Sequence, residues 1–194
     1  MTIVIVFRKK YMAGKVKDKM VEGAMALLAR RGLQATSFSE VLAATGAPRG
    51  SLYHHFPDGK DQLVAAAVAE AGAVLTNALD AVAGQPAAAV AGRFLAVWRA
   101  VLTRSQCEAG CAVLAVTVAT DSEALLTEAR AVLRLWQERL SDLLALGGMT
   151  PTEACAFATM LIASVEGAVV LARAERSMEP FEAVAVQLMT LAGG

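Results

Sequence analysis

TSFSEVLAATGAPRGSLYHHF, residues 36 to 56, decides the fold. Ser37 followed by Glu40 is an S-x-x-E capping box, in which the hydroxyl caps a helix start and the carboxylate reaches back. Gly46 ends that helix after about two turns. Pro48 then stands where a first helical position needs no N–H donor, so a second short helix runs through Phe56. Two short helices joined by a glycine turn form a helix-turn-helix, whose first helix crosses the DNA backbone and whose second enters the major groove. Phe38, Val41 and Leu42 can meet Leu52 and Phe56 and set the angle between the helices. Arg49, Ser51, Tyr53, His54 and His55 are left pointing largely outward, and Gly50 removes a side chain where the helix must come close to the groove.

Outward from this motif, apolar residues recur at three- and four-residue intervals almost throughout the 194-residue chain, and β-branched alternating runs are missing after residue 7. The pattern predicts an all-α protein of about nine helices. The first runs from about Lys15 to Arg31, with Val21, Ala24, Leu27 and Leu28 inward and Gly32 as its stop. After the helix-turn-helix, Asp58 can cap a long helix from Gly59 or Lys60 to about Ala83. Helices over about 87–105 and 111–118 follow, then one after a T-x-x-E box at Thr120 and Glu123. Another opens at Thr150-Pro151-Thr152-Glu153, and the last begins near Pro180.

The chain is 56% hydrophobic, ample for a core, and its longest uncharged runs, such as 109–120 and 154–165, are twelve residues, so no transmembrane segment is expected. The apolar MTIVIVF start is followed, not preceded, by Arg8, Lys9 and Lys10, which argues against a secretory signal. Residues 1–13 are expected to be an arm or start-site extension with no fold role. Cys107, Cys111 and Cys155 form an odd set that suits reduced thiols and a cytoplasmic, nucleoid-associated protein. Net charge is zero but lopsided: residues 1–60 hold ten Lys or Arg and four acids, +6, and residues 61–194 hold eight Arg and fourteen acids, −6. A basic module joined to an acidic one implies that the first meets a polyanion and the second does not.

Neither histidines nor cysteines make a convincing chemical centre. His54 and His55 are adjacent and diverge by about 100° on a helix, unlike an i, i+4 pair that can hold one metal. Cys107 and Cys111 supply half a zinc site, and buried reduced cysteine is the default for such thiols. No metal, cofactor or catalytic residue is therefore expected.

Residues 29–63, ARRGLQATSFSEVLAATGAPRGSLYHHFPDGKDQL, resemble the DNA-binding module of the tetracycline-repressor (TetR) family, which is all-helical, dimeric and usually repressive. The variant GAPRGSLYHHFPxGKxQL, together with EAGCAVLAV at 108–116, is similar to the LmrA/YxaF-type branch, although Ala112 stands where that second motif more often has proline. The resemblance implies phosphate contacts from Thr36, Ser37, Tyr53, His54 and Lys60, and base-edge contacts from Arg49 with Ala47, Pro48 and Ser51. Phosphate contacts position a protein on DNA, and arginine can read guanine bidentately. His55 is expected to pack inward.

The expected organisation is a helix-turn-helix module over 14–60 and a ligand-binding and dimerisation domain over 61–194. Trp98, Trp136 and Glu166, with Leu114 and Thr117, are the candidates to line a cavity for an unknown small-molecule inducer, against the simpler possibility that the tryptophans fill the core. Glu166 stands alone in an apolar stripe and needs a partner if buried. The last two long helices have apolar residues on more than one face, as helices buried both in a monomer and against a second copy do. The function expected is a ligand-responsive repressor, not an enzyme, binding a pseudo-palindromic operator in double-stranded DNA as a homodimer and released by a small apolar or amphipathic molecule. The rivals are a thiol-based redox or electrophile sensor using Cys107 and Cys111, a small-molecule-binding protein without specific operator readout, and an enzyme using Cys111 with a histidine.

Overall fold

A computed structural model describes residues 16–193; the terminal arm expected over 1–13 lies outside the described residues. Within them the chain forms nine helices and no strand: α1 (Val16–Arg31), α2 (Phe38–Thr45), α3 (Arg49–His55), α4 (Lys60–Asp80), α5 (Ala87–Ser105), α6 (Ala112–Thr117), α7 (Glu123–Leu146), α8 (Pro151–Glu175) and α9 (Glu179–Gly193). The first three make the helix-turn-helix module. Helix α4 starts beside that module and runs on into the larger one, packing on α1 and on α7. Helices α7, α8 and α9 then pack in sequence, and α5 closes the core against α9.

The expected inner face of α1 is buried, and Gly32, in the left-handed region at φ 79°, ends it with its N–H on the Leu28 carbonyl. Val41, Leu52 and Phe56 are buried, with Phe38 and Leu42 partly buried against the same core. Gly46 at φ 67° turns the chain between α2 and α3, a backbone state that costs a side-chain-bearing residue energy. Gly23 has a different purpose: a Cβ there would run into Thr45 Cγ2, whose own hydroxyl is fixed on the Val41 carbonyl at 2.7 Å. Close approach of α1 to α2 depends on that missing methyl group.

Several helix ends differ from expectation. Ser37 caps α2 by accepting from the Glu40 N–H at 3.2 Å, but the Glu40 carboxylate turns to Arg31 at 2.7 Å, so only half the box forms. Pro48 is the cap before α3, not its first residue, and the helix starts at Arg49. Asp58 does not cap α4; Gly59 occupies that position at φ 91°, and the Asp58 N–H instead donates to Gln62 Oε1. Helix α7 is capped by Ser122, while Thr120 accepts from the Ser122 N–H, because Glu123 is the first helical residue and not the third. The Thr150–Glu153 box forms in full, with Pro151 in the first turn.

Helices α4 and α8 are long and apolar enough by composition to cross a membrane, with mean hydropathy of 1.4 and 2.0. Both instead place a stripe of buried side chains in this core, α8 including Phe157, Leu161, Val165 and Val169. What α8 leaves outside is still apolar: Met160, Val170 and Leu171 are exposed, as are Val186 and Leu191 of α9. Helix α9 is held to α5 by Arg99, whose guanidinium meets Glu182 at 2.6 and 2.7 Å and lies over the Phe181 ring.

Candidate nucleic-acid interface and effector cavity

Leu52 and Phe56 face the core on one side of α3, and helical geometry sends the intervening positions the other way. Pro48, Arg49, Gly50, Tyr53 and His54 are all exposed, and Ala47 and Ser51 are partly exposed beside them. Tyr53 is 69% exposed, and its ring stands edge-on to Phe38 with centroids 6.0 Å apart. The aromatic contact with α2 fixes the ring and leaves the phenol reaching out. At Gly50 a Cβ would meet nothing within 4 Å, so no neighbour among the described residues requires glycine there.

Two expected phosphate contacts are placed differently. Thr36 is buried, and its hydroxyl donates to the Gly32 carbonyl at 2.8 Å, bracing the turn between α1 and α2. Lys60 Nζ donates to the Leu33 carbonyl at 3.0 Å, tying the start of α4 to that same turn. Ser37, next to Thr36, is partly exposed, with its hydroxyl on Ser39 at 2.8 Å. His55 is half-buried, its ring against that of His54 with centroids 5.0 Å apart. Among the described residues no cluster of His, Cys, Asp or Glu is arranged to hold a metal ion. Lys17 and Lys19, exposed at the start of α1, belong to no motif; Lys17 Nζ lies 5.9 Å above the Phe56 ring, next to α3. Their one signal in the sequence is the charge run KVKDK at 15–19.

Where the two modules meet, a half-open apolar pocket of about 200 Å³ brings Trp98 of α5 and Trp136 of α7 together. Its other walls are the sequence-distant Met25 and Ala29 of α1, Ala71 and Leu75 of α4, and the Gly110–Cys111 bend before α6. The bend is bonded to α1 as well, through the Gly110 N–H and the Ala29 carbonyl at 2.8 Å. Leu114 and Thr117, expected in the lining, are not there: both are partly buried on α6, and Thr117 is turned to the Val113 carbonyl. Glu166 does not line the cavity either. It is buried beside Cys111, and its Oε2 has no partner among the described residues.

Burial raises the Glu166 carboxyl to about 7. Burial and the neighbouring carboxylate push the Cys111 thiol well above its ordinary value, the reverse of what an activated thiolate needs. Cys107 is also buried, its Sγ donating to Met178 Sδ at 3.7 Å. Both thiols are buried, as the default reading of the pair had it, and neither has the exposure that a redox sensor uses.

Residues 20–67 match the family model described as bacterial regulatory proteins, tetR family, and residues 86–187 match that of the transcriptional regulator LmrA/YxaF-like C-terminal domain. An HTH-type transcriptional regulator of Mycobacterium tuberculosis is 32% identical, over 90% of this chain and 93% of its own length. The HTH-type regulator YxaF of Bacillus subtilis is 26% identical, over 92% and 95%. Among solved structures, a TetR transcriptional regulator from Chloroflexus aurantiacus superposes with a TM-score of 0.71 at 28% identity, covering 90% of this chain and 92% of that one. The regulatory protein TetR from Rhodobacter sphaeroides shares the fold at a TM-score of 0.80 and 19% identity, covering 90% and 97%.

Proposed function

The chain belongs to the TetR family of bacterial transcriptional regulators, in its LmrA/YxaF-like branch, and from that premise we propose that it is a repressor whose hold on its operator is released by a small apolar or amphipathic molecule. Members of the family are DNA-binding transcription factors, not enzymes, and bind DNA as dimers. That places this protein's work with the DNA of the cell; association with the nucleoid is part of the proposal.

The observation that carries ligand response is the composition of one cavity wall. Met25 and Ala29 belong to the helix-turn-helix module, Ala71 and Leu75 to the helix that leads away from it, and Trp98 and Trp136 to the larger module. A molecule occupying that space presses on both sides of the junction between the modules. It favours whichever arrangement accommodates it, and operator affinity falls if that arrangement moves the two α3 helices of a dimer from the roughly 34 Å that successive major grooves require.

At the DNA surface Arg49 is assigned base readout, with Ala47, Pro48 and Ser51 beside it, and Ser37, Tyr53 and His54 are assigned phosphate contacts. Thr36 and Lys60 act mainly by fixing the turn that carries Ser37, because their polar ends already bond to backbone carbonyls. The module over 14–60 reads DNA and lends Met25 and Ala29 to the ligand's wall, and 61–194 supplies the rest of that wall and holds the partner. The exposed apolar residues of α8 and α9 supply the dimer face, since contiguous apolar surface of this kind marks an interaction site.

Binding-site selection from random duplex DNA, followed by anisotropy titration of the selected site against scrambled DNA, tests this function. Arg49→Ala should relax preference at one base pair by about 1 to 3 kcal/mol. Equal affinity of the native protein for selected and scrambled DNA would overturn specific regulation.

A further inference from the structure

Four guanidiniums converge at the junction of the two modules. Arg30 and Arg31 end α1, Arg173 and Arg176 stand at the end of α8, and all four line one open cleft that holds a single carboxylate, Glu108. Arg31 is turned to Glu40 of α2 at 2.7 Å. That leaves Arg30, Arg173 and Arg176 against Glu108 alone, an excess of two positive charges. The excess stands out because residues 61–194 hold eight Arg against fourteen acids, and Arg99, Arg130 and Arg139 there each meet an acid of their own, Glu182, Glu123 and Asp80.

Donors are in excess too, and they are within reach. Glu108 uses both its oxygens, one on Arg30 at 2.8 Å and the other on Arg176 at 3.1 Å. Arg173 donates to the Arg30 carbonyl at 3.0 Å and meets no carboxylate among the described residues. A guanidinium has more N–H donors than these contacts use, set in a planar fork that fits a carboxylate or a phosphate. The Arg30 and Arg176 side chains are 47% and 63% exposed, so a dissolved anion reaches them without opening the fold.

The backbone points to the same place. Among the described residues three other than glycine have φ in the left-handed region: Gln106, Cys107 and Arg176. Cys107 and Arg176 line the cleft, and Gln106 and Cys107 lead directly into Glu108. Arg176 is the C-cap of α8 at φ 53°, where glycine is the usual residue because it bears no Cβ. The helix dipole favours a cation at this end, but Arg173 in the last turn already supplies one.

We infer that this cleft binds a small multivalent oxyanion, a phosphate or polycarboxylate compound, that joins Arg30 of the DNA-binding module to Arg173 and Arg176 of the larger one. The site shares no lining residue with the apolar pocket and does not depend on what fills it.

Pyrophosphate and citrate, titrated calorimetrically into the native protein at an ionic strength held constant with sodium chloride, test this and separate the two kinds of oxyanion. Saturable binding of at least one is expected. Arg176→Gln should weaken that anion about ten-fold, the effect of one charge-assisted hydrogen bond. Glu108→Gln removes the competing carboxylate and should tighten it about three-fold. Arg49→Ala, on the DNA face, should leave it unchanged. The opposite signs at 176 and 108 distinguish a binding site from an ion pair that only braces the junction, and unchanged helical circular dichroism establishes that each variant folds.

No saturable binding of either anion, or an affinity indifferent to both Arg176→Gln and Glu108→Gln, overturns the inference. Loss of binding in Arg49→Ala with none in Arg176→Gln would put the anion on the DNA face and overturn it as well. If Arg176→Gln leaves anion affinity alone but lowers the salt slope of operator binding by about 1, the cleft serves duplex phosphate and the small-anion site falls.

Discussion

The indole N–H of Trp136 is bonded to the backbone carbonyl of Gly72, 64 residues earlier in the chain, at 3.2 Å. Thr76 Oγ1 donates to the same carbonyl at 3.0 Å. One wall of the cavity is thereby fastened to the middle of α4, the helix that starts at the DNA-binding module. Trp136→Phe keeps the ring and removes the bond. Its operator affinity without ligand should stay within about two-fold of the native protein, while the ligand-induced loss of affinity shrinks by about five-fold, the effect of one hydrogen bond. Anisotropy titrations with and without ligand measure both, and an undiminished ligand effect would remove Trp136 from the route between cavity and α4.

Gly50 separates function from folding. Because a Cβ there touches nothing among the described residues, Gly50→Ala should leave stability unchanged or raise it by up to about 1 kcal/mol through helix propensity. Operator affinity should nevertheless fall at least ten-fold if α3 lies tight in the groove. Thermal melting and DNA titration of the same preparation provide the comparison. Native affinity in the variant would mean that α3 does not approach DNA at that position.

Tyr53 and Lys60 make contrasting predictions. Tyr53→Phe should keep the edge contact with Phe38 and the melting temperature, yet weaken binding to all DNA sequences by about 1 kcal/mol. Lys60→Met removes the bond to Leu33, so stability should drop by about 1 kcal/mol. If Lys60 is a brace and not a phosphate ligand, the slope of log affinity against log salt is kept; a slope lower by about 1 would show direct phosphate contact.

Glu166 sets a pH dependence. Its folded carboxyl titrates at about 7, above the ordinary 4.5, so between those values the folded state binds more protons than the unfolded one. Stability is therefore greatest below pH 4.5 as far as this group is concerned, declines as pH rises toward 7, and levels off above it, a loss of about 3 kcal/mol at most. Glu166→Gln should abolish that decline and be the more stable protein at pH 8. Denaturant unfolding across pH 5 to 8 checks it, and parallel curves for both proteins would show that Glu166 is not the titrating group.

The outer face of α8 and α9 should fail selectively when charged. Val170 and Val186 are 52% and 60% exposed in the single chain, so Val170→Glu with Val186→Glu should cost little folding stability. Sedimentation should show a monomer, and operator binding should drop by at least a hundred-fold, as loss of the second half-site requires. A dimer that persists would move the interface elsewhere.

The sequence by itself determined whatever is local. The 3.6-residue period, the glycine stops and the motif from Thr36 to Phe56 were enough for the nine helices of the described residues, the helix-turn-helix and the family, because each depends on neighbours within a few positions. Even there, shared partners were decided elsewhere: Glu40 left its capping box for Arg31, and Lys60 went to Leu33. Tertiary structure alone decided the cavity. Met25, Ala71, Trp98, Gly110 and Trp136 come from five separated parts of the chain, and helix periodicity says which face is inward but not which inward faces meet around a void. For the same reason the sequence could raise Glu166 as a carboxylate in need of a partner, whereas only packing could set it beside Cys111 and leave its Oε2 without one among the described residues.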